Sequence, residues 1–303
     1  MKKNKCSLLP FIREDISGLS PNDSQFYGWE IKKFDITTLW KKSTGKNIVV
    51  GVVDTGCDLS HPDIKNNLLE GKNFINTNND PMDDNGHGTH ISGTIAGENN
   101  GFGMVGIAPD AKIRPIKCLN AQGSGSASDI ANGITWAADQ RCDFISLSLG
   151  LKGISIPIRN SIDYAINKGC VVFCAAGNDG INTPIMFPSS YEKTISIGAI
   201  DQNLNRTSFS CSGEELDFMC PGHDILSCVP NNSYAMMSGT SMSTPFAVGC
   251  ACLLLSYFKS LSKENELNTA QDYVDVFKIK AQDLKDERYK GIKKYQGYGI
   301  LYP

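Results

Sequence analysis

Apolar and polar positions follow one another along this chain in blocks of two kinds. Short continuous apolar runs rich in β-branched residues read as strands buried on both faces, and stretches with helical spacing lie between them. Residues 47–53 (Asn-Ile-Val-Val-Gly-Val-Val) are the clearest such run. Residues 111–119, 144–149, 170–175 and 194–200 also read as strands, whereas 87–97, 126–139 and 156–167 read as helices. The stretch 241–258 is apolar almost throughout, which predicts a long buried helix. This alternation predicts an α/β fold with a mostly parallel central sheet covered by helices on both faces. In such sheets, sites lie beyond the carboxyl ends of the strands. Residues 76–85 read as a polar loop, and 260–268 as a charged link to a last amphipathic helix and a tail. The first two dozen residues are polar, weakly patterned and contain Gly18, Pro21 and Asn22. They read as a short arm or pro-segment, 1–24, ahead of one domain over 25–303.

Composition narrows the class. With 303 residues, 41% hydrophobic and 20% charged, the chain can bury a sizeable core and is not disordered as a whole. A net charge of −3 gives no basic surplus that would make nucleic acid or an acidic membrane the main partner. No segment approaches the ~18 uninterrupted apolar residues of a membrane-crossing helix. The apolar run 8–12 is broken by Pro10 and followed by Arg13, Glu14 and Asp15, too short a core for a signal peptide. Eleven cysteines, none in a C-x-x-C pair, suggest a reducing compartment rather than a disulfide framework. The expected location is the cytoplasm.

Candidate chemistry sits where strands end or helices begin. Asp54-Thr55-Gly56 follows the first apolar strand; alone, that Asp is as readily a turn or capping residue. Asn85-Gly86-His87-Gly88-Thr89-His90 opens a helix, with a glycine on each side of His87. Ser238-Gly239-Thr240-Ser241-Met242-Ser243-Thr244-Pro245 opens the apolar helix, which places Ser241 among unpaired N–H groups, as an N-cap or as a nucleophile. Ala175-Ala176-Gly177-Asn178 closes a buried strand with a side-chain amide able to donate to an oxyanion. A serine hydroxyl is a weak nucleophile near neutral pH. It needs a base within hydrogen-bond reach and a carboxylate to fix that base's tautomer. A zinc site at His87 and His90 is not supported, because two histidines three apart lack a further ligand motif.

Taken together, these four elements resemble the subtilisin family (subtilases) of serine proteases, over roughly residues 25–300. The chain order Asp–His–Ser is matched to that family rather than deduced. The resemblance implies a three-layer subtilisin-like fold and an endopeptidase working through an acyl-enzyme. It implies that Asp54 orients His87, that His87 is general base and then acid, and that Ser241 is the nucleophile. Asn178, with the Ser241 N–H, would form the oxyanion hole. Gly123-Ser124-Gly125 resembles the edge that pairs with an extended peptide substrate, and Ser148-Leu149-Gly150 the opposite wall of the S1 pocket. Residues 180–188 would complete S1 without naming the preferred P1 residue. The chain departs from the family at Phe246, where a His is usual, and at Ala127, where many relatives place an aromatic over S4.

The same resemblance extends to calcium and to the arm. Residues 98–104 are similar to the loop of the family's tight Ca²⁺ site, with Asp63 and Asn100 as side-chain ligands and Glu98, Phe102 and Met104 as carbonyl ligands. Asp23 or Gln25 would supply the N-terminal ligand; the other reading of the loop is a plain glycine-rich turn. Leu8-Leu9-Pro10-Phe11 resembles the short pro-segment motif of intracellular subtilisins, which lies across the active site, and its other reading is a disordered tail. Intracellular relatives often form homodimers. A dedicated leader peptidase that matures a lanthipeptide precursor is a second reading of the function, and an inactive subtilase scaffold a third, opposed by the intact Asp54, His87, Asn178 and Ser241. Cys57, three residues after Asp54, is either a site of thiol sensitivity or a small buried filler.

Overall fold

A computed structural model describes residues 5–16, 24–77 and 79–303. Gly18, Pro21, Asn22 and Asp23 lie outside the described residues. The chain opens with strands β1 (Lys5–Leu8) and β2 (Ile12–Asp15) and short helices α1 (Trp29–Lys33) and α2 (Ile36–Leu39). Then come β3 (Val49–Asp54), β4 (Lys72–Asn73), α3 (His87–Ala96), β5 (Lys112–Lys117), β6 (Ser124–Ser126) and α4 (Ala127–Asp139). Next are β7 (Phe144–Leu147), β8 (Leu149–Gly150), α5 (Ile156–Asn167), β9 (Val171–Ala175) and β10 (Ile195–Ile200). The last are β11 (Phe218–Pro221), β12 (Ile225–Val229), β13 (Ser233–Ser238), α6 (Thr240–Ser260), α7 (Ala270–Lys278) and α8 (Lys293–Gln296).

Seven strands form one parallel sheet in the order β11-β10-β9-β7-β3-β5-β4. Alternate residues of each strand serve opposite faces. On β3, Val50 and Val52 join the core with Ile91, Ile95 and Phe246 of α3 and α6. Val53 joins the other core, with Ile130, Ile134, Ile158 and Ile162 of α4 and α5. The result is three layers, as expected. Helix α6 is buried over most of its length because it lies between the sheet and α3. It is long and apolar enough to cross a membrane, but most of it is buried inside this fold.

Two differences from the sequence reading bear on the site. The run 144–149 is split: β7 stays in the main sheet, and β8 leaves it for a separate three-stranded sheet in the order β6-β1-β8. The N-terminal segment, which has no periodicity, forms two strands. Both are held by main-chain pairing to edges of the body, which needs no apolar pattern of their own.

Candidate active site

Asp54 ends β3 and His87 begins α3. The His87 ring donates from Nδ1 to Asp54 Oδ1 at 2.8 Å, and both side chains are buried. That oxygen also accepts the Thr55 N–H at 2.7 Å. The glycine after His87 permits this approach: a Cβ on Gly88 would stand 2.1 Å from the Gly56 carbonyl. Asn85 accepts the His87 N–H at its Oδ1, and the buried Asp83 accepts from Asn85, Gly86 and Thr89. These polar residues take the turn into α3 and leave His87 Nε2 without a hydrogen-bond partner among the described residues. The ring of His90 is committed elsewhere: its Nε2 meets the Ile225 carbonyl at 3.0 Å, and burial pushes its pKa down to about 3. His87 and His90 therefore serve different partners.

Ser241 lies in the first turn of α6. Its hydroxyl donates to the Ser148 carbonyl at 3.2 Å, and the Ser148 hydroxyl donates to the Ser241 carbonyl at 3.0 Å. This reciprocal pair ties the helix to the strand wall. Asn178, just after β9, accepts at Oδ1 from Thr240 and is thereby turned so that Nδ2 donates to the Pro10 carbonyl at 2.7 Å. A Cβ on Gly239 would reach 3.0 Å from that same Nδ2, so a side chain there would crowd the amide. Thr240 was not singled out in the sequence; its position in Ser-Gly-Thr-Ser was the only signal.

The arm fills the cleft. Strand β1 runs antiparallel to both walls: Cys6 faces Gly125, Ser7 faces Ser124 and Gly150, and Leu8 faces Leu149. The Leu8 N–H donates to the Gly123 carbonyl at 2.8 Å. Leu9 is 2% exposed and lies against Gly150, where Met186 also packs. The Phe11 ring covers His87, with centroids 5.0 Å apart. Cys6 joins the buried cluster that includes Cys118, Leu119, Ala127 and Ala131. Phe246 is fully buried and meets Phe34 edge-on at 5.1 Å. All eleven cysteines are buried and unpaired. Burial raises the Cys57 thiol far above its ordinary pKa, which argues for the filler reading.

A second cluster gathers beside α3. Gln25 donates through Nε2 to the carbonyls of Glu98 (3.0 Å) and Phe102 (2.9 Å) and accepts the Gly101 N–H. Asp63 accepts from the Asn100 amide at 3.1 Å, the Met104 N–H at 2.8 Å and the Tyr234 hydroxyl at 2.8 Å. The Glu98 carboxylate points away, to Asn66. The oxygens named here are hard donors of the type that Ca²⁺ takes. Tyr234 was missed in the sequence because it lies 171 residues from Asp63.

A family model described as the subtilase family matches residues 45–299. The chain belongs to the subtilase family. This subtilase is 43% identical over 243 residues to "Thermophilic serine proteinase" of Bacillus sp. (strain AK1), covering 78% of this chain and 60% of that protein. It is 41% identical over 240 residues to "Subtilisin DY" of Bacillus licheniformis, covering 77% of this chain and 87% of the relative. It is 38% identical over 280 residues to "Intracellular serine protease" of Paenibacillus polymyxa, covering 90% and 84%.

Proposed function

We propose that this subtilase is a cytoplasmic serine endopeptidase that cleaves extended, unfolded protein segments and is restrained by its own N-terminal arm. The observation that carries the reading is the buried Asp54–His87 pair with Nε2 unpartnered, at the start of a helix packed against the one that bears Ser241. With Nδ1–H held by Asp54, the neutral ring presents Nε2 as the base. Ser241 gives up its proton to Nε2 as its oxygen attacks the substrate carbonyl. The carbonyl oxygen becomes an oxyanion, received by Asn178 Nδ2 and the Ser241 N–H. His87 returns the proton to the leaving amine, and water then releases the acyl group by the same route.

Substrate enters as a strand between residues 123–125 and 148–150, the place that β1 takes. The arm is a poor substrate by register. Leu9 sits at the S1 wall, yet Asn178 contacts the carbonyl of the next residue, Pro10, whose fixed φ bends the chain there. Residues 1–24 act as the arm and 25–303 as the catalytic domain. Asp63, Asn100, Gln25 and the carbonyls of Glu98, Phe102 and Met104 would hold a structural Ca²⁺ that braces the loop. The cytoplasmic address rests on the eleven free thiols and on the relative named as intracellular. A homodimer is proposed by the same analogy.

The test compares wild type with Ser241→Ala, each incubated with calcium and unfolded casein, with mass spectra of the fragments and of each protein's own N-terminus. Wild type is expected to cut casein and trim its arm, and the variant to do neither. Casein left intact by a wild type that still reacts with a fluorophosphonate probe would point instead to a narrow substrate, such as a lanthipeptide leader. No reaction with the probe by arm-deleted protein would overturn the peptidase reading.

A further inference from the structure

Three metal-ligating side chains meet away from the reacting groups. One ring nitrogen of His61, one carboxylate oxygen of Asp63 and the Cys228 sulfur all lie within 4.8 Å of one another, and all three residues are buried. His61 and Asp63 belong to a turn that follows β3, and Cys228 belongs to β12. We propose that these residues form a site for a thiophilic divalent cation of the zinc class, and that this cation and calcium exclude each other at Asp63. The site goes beyond the peptidase reading and does not require it. Only the exclusion draws on the calcium reading.

The donor set selects the metal. Calcium takes oxygen ligands and gains nothing from a thiolate or an imidazole. One nitrogen, one oxygen and one sulfur suit zinc, with bonds of about 2.0–2.3 Å in a tetrahedron. Donors in such a tetrahedron stand about 3.5 Å apart, so these three need to close by little more than about 1 Å. The three leave a fourth position for water. On binding, the S–H bond of Cys228 gives way to an S–metal bond and the proton leaves to solvent.

The surroundings of the three donors are those of a metal-binding histidine. Nδ1 of His61 accepts the Asp63 N–H at 3.3 Å, so the ring proton sits on Nε2, which donates to the Ser233 carbonyl at 3.1 Å. A histidine that ligates a metal through one nitrogen is held in this way through the other. The bond at Nδ1 is the longer of the two and is the one exchanged for the metal. Tyr234 donates to Asp63 Oδ2 at 2.8 Å, and its ring meets His61 edge-on with centroids 5.4 Å apart. The β12–β13 hairpin thus supplies the sulfur and also the groups that orient the other two donors.

Asp63 serves one cation at a time. A carboxylate has about four acceptor sites. Oδ2 takes the Met104 N–H and the Tyr234 hydroxyl, and Oδ1 takes the Asn100 amide, which leaves one site on Oδ1. Given to calcium, that site braces residues 98–104. Drawn toward His61 and Cys228, it is withheld from the loop. Ile16 of the arm and Met236, both half-buried, pack against the small cluster of Met104, Leu226, Cys228 and Tyr234. The arm therefore covers this side of the molecule too, and metal is equilibrated with the protein before any reading.

The test uses the full-length chain carrying Ser241→Ala, which prevents self-cleavage, in calcium-free buffer. Co²⁺ is the probe, because a thiolate bound to it gives a charge-transfer band in the near ultraviolet. One Co²⁺ per chain is expected, with that band, and Zn²⁺ should displace it. Cys228→Ser should abolish the band and weaken Zn²⁺ binding at least about 100-fold. His61→Gln should weaken Zn²⁺ binding to a similar degree and leave the band. No band in the parent, or a band and affinity unchanged in Cys228→Ser, overturns the proposal. A second reading needs no substitution at the site: alkylation of the parent, followed by peptide mass spectra. Zn²⁺ should slow labelling of Cys228 more than that of the other cysteines, and equal slowing of all of them, or none, overturns the proposal.

Calcium is then added to the parent. At free Ca²⁺ about ten times its Kd, the apparent Zn²⁺ affinity should fall about tenfold, and Zn²⁺ should weaken Ca²⁺ by the same factor. Unchanged Zn²⁺ affinity with calcium bound overturns the exclusion and removes Asp63 from the site. A chain that binds no calcium overturns the calcium reading instead. The Co²⁺ band, and its loss in Cys228→Ser, then support the site by themselves.

Discussion

Thr240 places two hydrogen bonds on a single oxygen of Asn178, one from its N–H at 2.9 Å and one from its hydroxyl at 2.8 Å. The hydroxyl in turn accepts the Gly177 N–H at 3.1 Å. With Oδ1 so engaged, the Asn178 amide has one orientation, and its Nδ2 faces the cleft. Thr240 is thus a positioning residue. Thr240→Val is expected to lower kcat about tenfold with KM nearly unchanged, because the aim of Nδ2 matters most for an oxyanion. Thr240→Ser should restore most of the rate. Steady-state kinetics on a peptide substrate checks both.

Met186 lines the pocket that takes Leu9. A Cβ on Gly150 would lie 3.1 Å from its sulfur, and one on Gly177 would lie 3.1 Å from its Cγ, so the side chain lies close to both. Residues of the size of Leu or Met should be preferred at P1. Met186→Ala is expected to raise the Phe-to-Leu ratio of kcat/KM by about tenfold, the discrimination that a few methylenes give in an apolar pocket. A panel of peptides differing only at P1 reads it; an unchanged ratio would place the pocket floor elsewhere.

Calcium should appear as a stability increment carried by Asp63. At free Ca²⁺ about 100 times its Kd, a single site that exists only in the folded protein adds about 2.7 kcal/mol. Thermal melts in calcium and in chelator should therefore differ for wild type. Asp63→Asn should melt at one temperature in both, whatever its baseline loss from the Tyr234 and Met104 bonds.

Buried His90 should make part of the stability pH-dependent. Its pKa is pushed down to about 3, mainly by burial and then by the neighbouring His87. Between about pH 6.5 and that value the unfolded chain binds a proton there and the folded chain does not. The stabilisation is thus complete above pH 6.5 and is lost as pH falls. Burial acts oppositely on Glu30 and Asp217, raising them to about 7 and about 6. Those effects are common to wild type and His90→Gln and cancel in their difference. Urea unfolding should find the stability of wild type relative to the variant falling by about 2 kcal/mol from pH 6.5 to 5.

The central sheet was legible because its strands are buried on both faces and their partners are helices with their own periodicity. The run around Val50 and the helix after Thr240 carry the pattern within the segment itself. The motifs around Asp54, His87, Asn178 and Ser241 were legible because glycines and capping residues mark strand ends and helix starts. Strands β11 to β13 and the two arm strands were not. The main-chain bonds of β1 and β2 lie on partners more than 100 residues away, and short pieces such as Cys6-Ser7-Leu8 carry no alternation to read. Likewise, Tyr234 reaches Asp63 only through the fold.

The arm that lies over His87 and meets Asn178 belongs to the same chain as the cleft. A free peptide would compete at its concentration in solution. A segment on a short tether faces its cleft at an effective concentration on the order of millimolar, however dilute the protein. Weak intrinsic affinity is then enough to keep the cleft filled, and dilution cannot empty it. One cut in the tether changes the molecularity: the same segment becomes a second solute, leaves at ordinary cellular concentrations, and does not return in kind.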